Sequence, residues 1–268
     1  MPYFVVIDKL YNHFLDMKIT YNSTNYYLIP CNDGFLLIDA GWNGLLRVFL
    51  EKLHSIGIAP VQIKYILLTH HHHDHAAIVQ ELRKMTEAKL IVHKEQLPYL
   101  KAGFTDYKKL KQYNKLLWII DRISRPFIKY QYRPIDFDAA DVIVDSDIDD
   151  VSLRNIGVQG KIVLTPGHSH DSISVLLDNG NAYIGDLAMN MNSMKLLGKA
   201  PFPIEAEDYL QVNQSLRKLV NLGVTLFYPS DLLLRIYDYC PLPDFQFKSS
   251  FLYHCSHLNL VICPGDRH

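Results

Sequence analysis

The residues best suited to chemistry lie in one run, Thr69-His70-His71-His72-His73-Asp74-His75, directly after the apolar stretch Ile66–Leu68. In extended backbone, alternate side chains share a side. His70, His72 and Asp74 therefore converge, with His75 turning in as the next helix begins. Imidazole nitrogens bind zinc at about 2.0–2.1 Å and carboxylate oxygens at about 2.0–2.2 Å, so such a cluster can hold metal directly. Spacing alone leaves a second register open, with His71, His73 and His75 on one side. A compositional His tract or a tag is the bland alternative. Tags sit at termini, whereas this run is internal and joins a buried strand to a helix.

Positioning such a cluster needs a framework, and the hydrophobic pattern supplies one. Tyr26–Pro30 and Phe35–Ile38 flank Asn32-Asp33-Gly34, a hairpin signal. Asn43 is placed to cap a helix running to His54, which Gly57 ends, and Ile63–Leu68 follows as a buried strand. A helix through Ile78, Val79, Leu82 and Met85 leads to a strand at Lys89–His93. Tyr3–Thr20 also reads as strands, as do Val142–Val144, Lys161–Leu164, Ser172–Leu177, Ala182–Ile184 and Val224–Tyr228; a helix spans about Glu207 to Leu222. Leu100 to Phe137 is a Tyr/Lys-rich insertion, expected to be helical and to form a lid or wall of the pocket. The alternation argues for a layered α/β architecture.

The His run resembles the His-x-His-x-Asp-His signature of the metallo-β-lactamase superfamily, with His70, His72, Asp74 and His75 in the signature positions. That resemblance selects the register. It continues at Ile38-Asp39-Ala40-Gly41, at Thr165-Pro166-Gly167-His168 and at Ile184-Gly185-Asp186, in order along most of residues 1–230. It implies a four-layer αβ/βα sandwich with metal at the edge between two β-sheets. His70, His72 and His168 would hold one ion, and Asp74 and His75 the second, with Asp186 between them. Asp39 is expected to be a supporting carboxylate rather than a ligand, and His93 a packed histidine. Ser169-His170-Asp171-Ser172 sets the triad residue types side by side. A catalytic triad, however, is made by spatial geometry rather than adjacency.

The sequence departs from the family after its last core strand. Family members end it in a Pro-(Gly/Ser)-His-Gly turn; here the chain reads Pro229-Ser230-Asp231-Leu232. Asp231 is the candidate ligand in place of that histidine, and a carboxylate there favours manganese or iron more than an imidazole would. Residues 1–230 therefore read as the family domain and residues 231–268 as an atypical tail. The tail carries His254, Cys255, His257 and Cys263 at spacings that match no common zinc module. A change of reading frame or of splicing after Ser230 is one account of the break.

Bulk properties fit this reading. The 268 residues are 49% hydrophobic and 21% charged, with a net charge of -1 when histidine is neutral. No basic excess points to nucleic acid or to an anionic membrane. The four cysteines form no CxxC pair, and no leader or spanning segment is evident, so a cytoplasmic protein is expected. The expected activity is hydrolysis of a small-molecule ester, lactone or thioester by water activated on one or two Zn2+ ions, with Asp74 orienting the water and moving its proton. Two alternatives share the fold: an iron-dependent redox protein, and a homologue that has lost turnover with the last histidine.

Overall fold

A computed structural model describes residues 17–21, 24–145, 151–189 and 202–230. Numbered in chain order, the strands are β1 (Met17–Tyr21), β2 (Thr24–Cys31), β3 (Gly34–Ile38), β4 (Ile63–Leu67), β5 (Lys89–His93), β6 (Lys111–Gln112) and β7 (Val142–Val144), then β8 (Val151–Ser152), β9 (Gly160–Leu164), β10 (Ile173–Leu177), β11 (Asn181–Gly185), β12 (Glu205–Ala206) and β13 (Leu226–Pro229). The helices are α1 (Leu46–Ser55), α2 (His73–Ala76), α3 (Val79–Thr86), α4 (Leu97–Ala102), α5 (Lys115–Ser124) and α6 (Tyr209–Asn221).

One sheet has the order β1-β2-β3-β4-β5-β7 and the other β13-β11-β10-β9-β8, while β6 and β12 pair separately. Period-two alternation assigns the layers. Leu37, Ile66, Leu68, Leu90 and Val92 face outward onto Phe49 and Leu53 of α1 and Val79 and Leu82 of α3. Their neighbours Leu36, Ile38, Leu67 and Ile91 face inward, onto Ile162, Ile173, Val175 and Tyr183 of the second sheet. On that sheet's far side, Val163, Leu176, Ala182 and Ile184 meet Val212, Leu216 and Leu219 of α6. Strands buried on both faces have no polar side, which is why they read as continuous apolar runs. The result is the four-layer αβ/βα sandwich. No helix among the described residues is long and apolar enough to cross a membrane.

Two local expectations are corrected. Helix α1 starts at Leu46 without a side-chain cap, and the Asn43 amide instead donates to the Gln131 carbonyl at 3.2 Å. The insertion is helical only in part, at α4, at α5 and in the short 3-10 helices Tyr107–Lys109 and Arg125–Phe127. Gly103 ends α4 at φ 69°, pressed so close to the Tyr132 carbonyl that a β-carbon would lie 2.4 Å from its oxygen. Beyond it, the Thr105 and Tyr132 N–H groups donate to the Tyr130 and Gly103 carbonyls. This insertion walls the His70–His75 turn: the Tyr132 hydroxyl donates to the His71 carbonyl at 2.8 Å and the His73 N–H donates to the Thr105 hydroxyl at 2.8 Å. The expected strands before Met17, Asp231 and the tail residues His254, Cys255, His257 and Cys263 lie outside the described residues.

Candidate metal centre

The site forms where the two sheets meet along one edge. Strands β3 and β4 run parallel, so Asp39 and the Thr69–His72 turn emerge at the same end of the first sheet. From the second sheet, the loop between β9 and β10 delivers His168 and the end of β11 delivers Asp186. Backbone bonds tie the two edges together: Ile173 N–H donates to the Thr69 carbonyl at 2.8 Å and Asn25 N–H to the Ser230 carbonyl at 2.6 Å. Gly185 explains the Gly-Asp pair. It sits at φ 53°, and a β-carbon on it would fall 2.5 Å from the Thr69 hydroxyl. Only glycine lets Thr69 approach this closely while Asp186 still points into the site.

Three ring orientations are set by hydrogen bonds at Nδ1, which leave Nε2 for the site. His75 Nδ1 lies 2.8 Å from Asp39 Oδ2, and His168 Nδ1 lies 2.9 Å from the Glu205 carbonyl. The Thr69 hydroxyl donates to Asp39 Oδ2 at 2.8 Å, so it is free to accept from His70 Nδ1 at 3.1 Å. His72 differs, with its Nδ1 3.1 Å from His168 Nε2. Two nitrogens bound to one tetrahedral ion at about 2.0–2.1 Å would be about 3.3 Å apart.

The ligating atoms fall into two overlapping buried groups, His70 with His72 and His168, and His70 with His75 and Asp186, each within 4.8 Å. The Nε2 atoms of His70 and His75 and Oδ1 of Asp186 are buried with no hydrogen-bond partner. Unpaired buried polar atoms are costly, and here they face one another. Imidazole and carboxylate donors so arranged fit a divalent cation. Asp74 belongs to neither tight group; its carboxylate stands at the rim, Oδ2 3.5 Å from His75 Nε2, with its side chain 20% exposed.

The alternative register fails. His71 turns away and binds the buried Asp171 carboxylate through Nδ1 at 2.7 Å, and His73 packs edge-on to Trp42 and Tyr130. His93 is buried at the end of β5 and joins neither ligand group. No triad forms at 169–172: His170 Nδ1 sits 3.1 Å from Glu207, and Asp171 faces His71.

Burial, reinforced by neighbouring imidazoles, holds His70 and His72 well below the ordinary histidine value, so both are neutral donors. Burial opposes charge on His75 too, but Asp186, Asp74 and Asp39 outweigh it and hold its pKa well above that value. Burial also works against the Asp74 carboxylate, yet His75 and His73 prevail and keep it below the usual carboxylate range. The carboxylates that raise His75 are the same groups that a bound cation would balance.

Fold and site together define an αβ/βα sandwich with a His/Asp cluster at its sheet edge. The metallo-beta-lactamase superfamily model matches residues 19–231, and the chain belongs to that superfamily. Among curated proteins it is similar to the probable metallo-hydrolase YqjP of Bacillus subtilis, 26% identical over 214 residues, or 76% of this chain and 65% of the relative. A second B. subtilis protein, the probable metallo-hydrolase YflN, is 25% identical over 66% of this chain and 66% of its own length. The chain thus aligns with slightly less than two thirds of either relative's length. In fold it resembles a beta-lactamase from Chitinophaga pinensis, with TM-score 0.55 and 20% identity over 84% of this chain and 83% of that one. The metallo-beta-lactamase BJP-1 of Bradyrhizobium japonicum gives 0.53 and 17% over 82% and 76%.

Sequence reasoning passed over Thr69, Glu205 and Ser230 as supports of the site. Thr69 relays between Asp39 and His70, the Glu205 carbonyl orients His168, and the Ser230 hydroxyl donates to Asp39 at 3.2 Å. Thr69 and Ser230 flank motif residues, which is a weak signal; a backbone carbonyl leaves none.

Proposed function

We propose that this chain is a metal-dependent hydrolase of a small-molecule ester, lactone or thioester, with zinc the first candidate and iron or manganese the alternatives. The observation that carries the reading is the set of buried Nε2 atoms of His70 and His75, neither in a hydrogen bond, gathered with Asp186 beside the His72–His168 pair. A divalent ion, when bound, supplies Lewis-acid activation of water and of an acyl oxygen.

The chain's own residues do the rest. Asp39 and the Glu205 carbonyl fix His75 and His168 before any ligand arrives, so little reorganisation is needed. Asp74, partly exposed at the rim 3.5 Å from His75, would orient the attacking water and pass its proton to the leaving group. Beside His73, a cavity of about 420 Å³ lined by Trp42, Asn43, Gly44, Phe127, Ile128 and Lys129 gives room for the remainder of the substrate. Its mixed apolar and cationic wall suits an acyl chain with a polar or anionic end.

The test is elemental analysis of purified protein, then chelation and re-metallation, coupled to an ester, lactone and thioester screen. Turnover that disappears with chelator and returns with metal supports the reading. A protein that retains no metal after repletion refutes it.

A further inference from the structure

We propose that Asp171, acting through His71, is a positioning residue that sets the spacing between the ligand-bearing turns of the two sheets. The inference rests on the metal-centre reading and concerns a buried pair outside the ligand set.

His71 lies between two candidate ligands, His70 and His72; its ring packs edge-on to the His72 ring at 4.8 Å, but its Nδ1 turns to Asp171 instead of to the cluster. It is held at several points. The Asp171 carboxylate accepts from His71 Nδ1 at 2.7 Å and from its backbone N–H at 3.2 Å through the same oxygen, Oδ2. The Tyr132 hydroxyl donates to the His71 carbonyl at 2.8 Å, and the ring stacks on Tyr99 at 4.1 Å. The side chains of His71 and Asp171 are both fully buried. The Asp106 N–H reaches His71 Nε2 at 3.4 Å, which assigns the ring proton to Nδ1, where it faces the carboxylate.

Asp171 is three residues from His168, on the loop that presents that ligand. One buried bond therefore joins the loop carrying His168 to the turn carrying His70 and His72. Because the His71 ring packs against the His72 ring, fixing His71 also fixes the orientation of His72. Gln96 braces the same junction, its amide donating to the Leu68 carbonyl at 3.1 Å and to the Asp171 carbonyl at 3.2 Å. A charge-assisted bond at this length in a dry site is stiff enough to hold ligand geometry.

The test must separate positioning from simple stability. Removing one partner of a buried pair strands the other, whereas replacing both by apolar residues of similar volume leaves stability nearly unchanged. The double variant His71→Leu with Asp171→Leu is therefore the main probe, with Asp171→Ala measured alongside and Asp171→Asn, which keeps an acceptor oxygen, as the conservative rescue. Each is titrated with Co2+ after chelation, following the visible d–d absorption, with far-UV circular dichroism as the check on folding. We expect the double variant and Asp171→Ala to bind Co2+ about tenfold or more weakly, with altered band shape. Asp171→Asn stays near the parent in both. Parental affinity and spectrum in either folded loss variant would overturn the proposal and leave the metal centre standing. A parent that binds no Co2+ would overturn both.

Discussion

Asp39 Oδ2 accepts from His75 Nδ1 at 2.8 Å and from the Thr69 hydroxyl, also at 2.8 Å, so a single carboxylate at the end of β3 orients ligands on both sides of the turn after β4. Oδ1 takes the Thr69 backbone N–H at 2.8 Å, and Asp39 itself sits at φ 59°, a left-handed conformation that aspartate tolerates better than most residues. Asp39→Ala is expected to leave several buried donors unmet at about 1–3 kcal/mol each. It should also weaken metal binding about 10–100-fold. Asp39→Asn, which keeps the shape, should lose less of both. Chemical unfolding and metal titration of the two variants check this; equal metal affinity in Asp39→Ala would remove Asp39 from the site.

Gly185→Ala places a methyl 2.5 Å from the Thr69 hydroxyl at φ 53°. The left-handed backbone costs about 1–2 kcal/mol and the overpacking about 1–3 kcal/mol. Because Thr69 is displaced, metal affinity should fall together with stability. Adding Thr69→Ala should recover part of the stability but little of the affinity, since the link from Asp39 to His70 is then gone. Full recovery of metal binding in the double variant would show that the Thr69 relay is dispensable.

The two registers of the His run make opposite predictions. His70→Ala, His72→Ala and His168→Ala should each reduce metal content and lower hydrolytic activity by about 100-fold or more. His73→Ala should leave metal content unchanged and act on KM, because His73 lines the cavity and stands outside both ligand groups. Metal loss in His73→Ala at parental stability would reverse the assignment.

In metal-free protein the histidines give stability a maximum near neutrality. His70 and His72 titrate below the ordinary value of 6.5 when folded. Below that pH the unfolded chain takes up protons that the folded chain refuses, and stability falls as pH drops. His75 titrates above 6.5 when folded. Its contribution is complete below 6.5 and is lost as pH rises through its folded pKa. Urea unfolding of chelator-treated protein from pH 5 to 9 should show both limbs. Monotonic stability across that range would contradict the opposed shifts.

Much of this was legible in the residues themselves. Apolar runs of strand length separated by helical periodicity specify layers, because burying both faces of a strand forces helices onto the outside. The order of Asp39, His70–His75, His168 and Asp186 along that pattern placed each at a strand end or in a loop. The insertion was harder to read. Its Leu and Lys residues favour helix locally, while Gly103 at φ 69° and long-range backbone bonds to residues 130–132 break it.

Sequence by itself determined the donor types and the elements that carry them, since those depend on local spacing and hydrophobic period. Tertiary structure alone decided that His71 serves Asp171, 100 residues away. It also decided that a threonine and a glycine from different sheets must touch for the site to close. Those choices turn on distances between segments remote in sequence, and no periodicity within one segment encodes them.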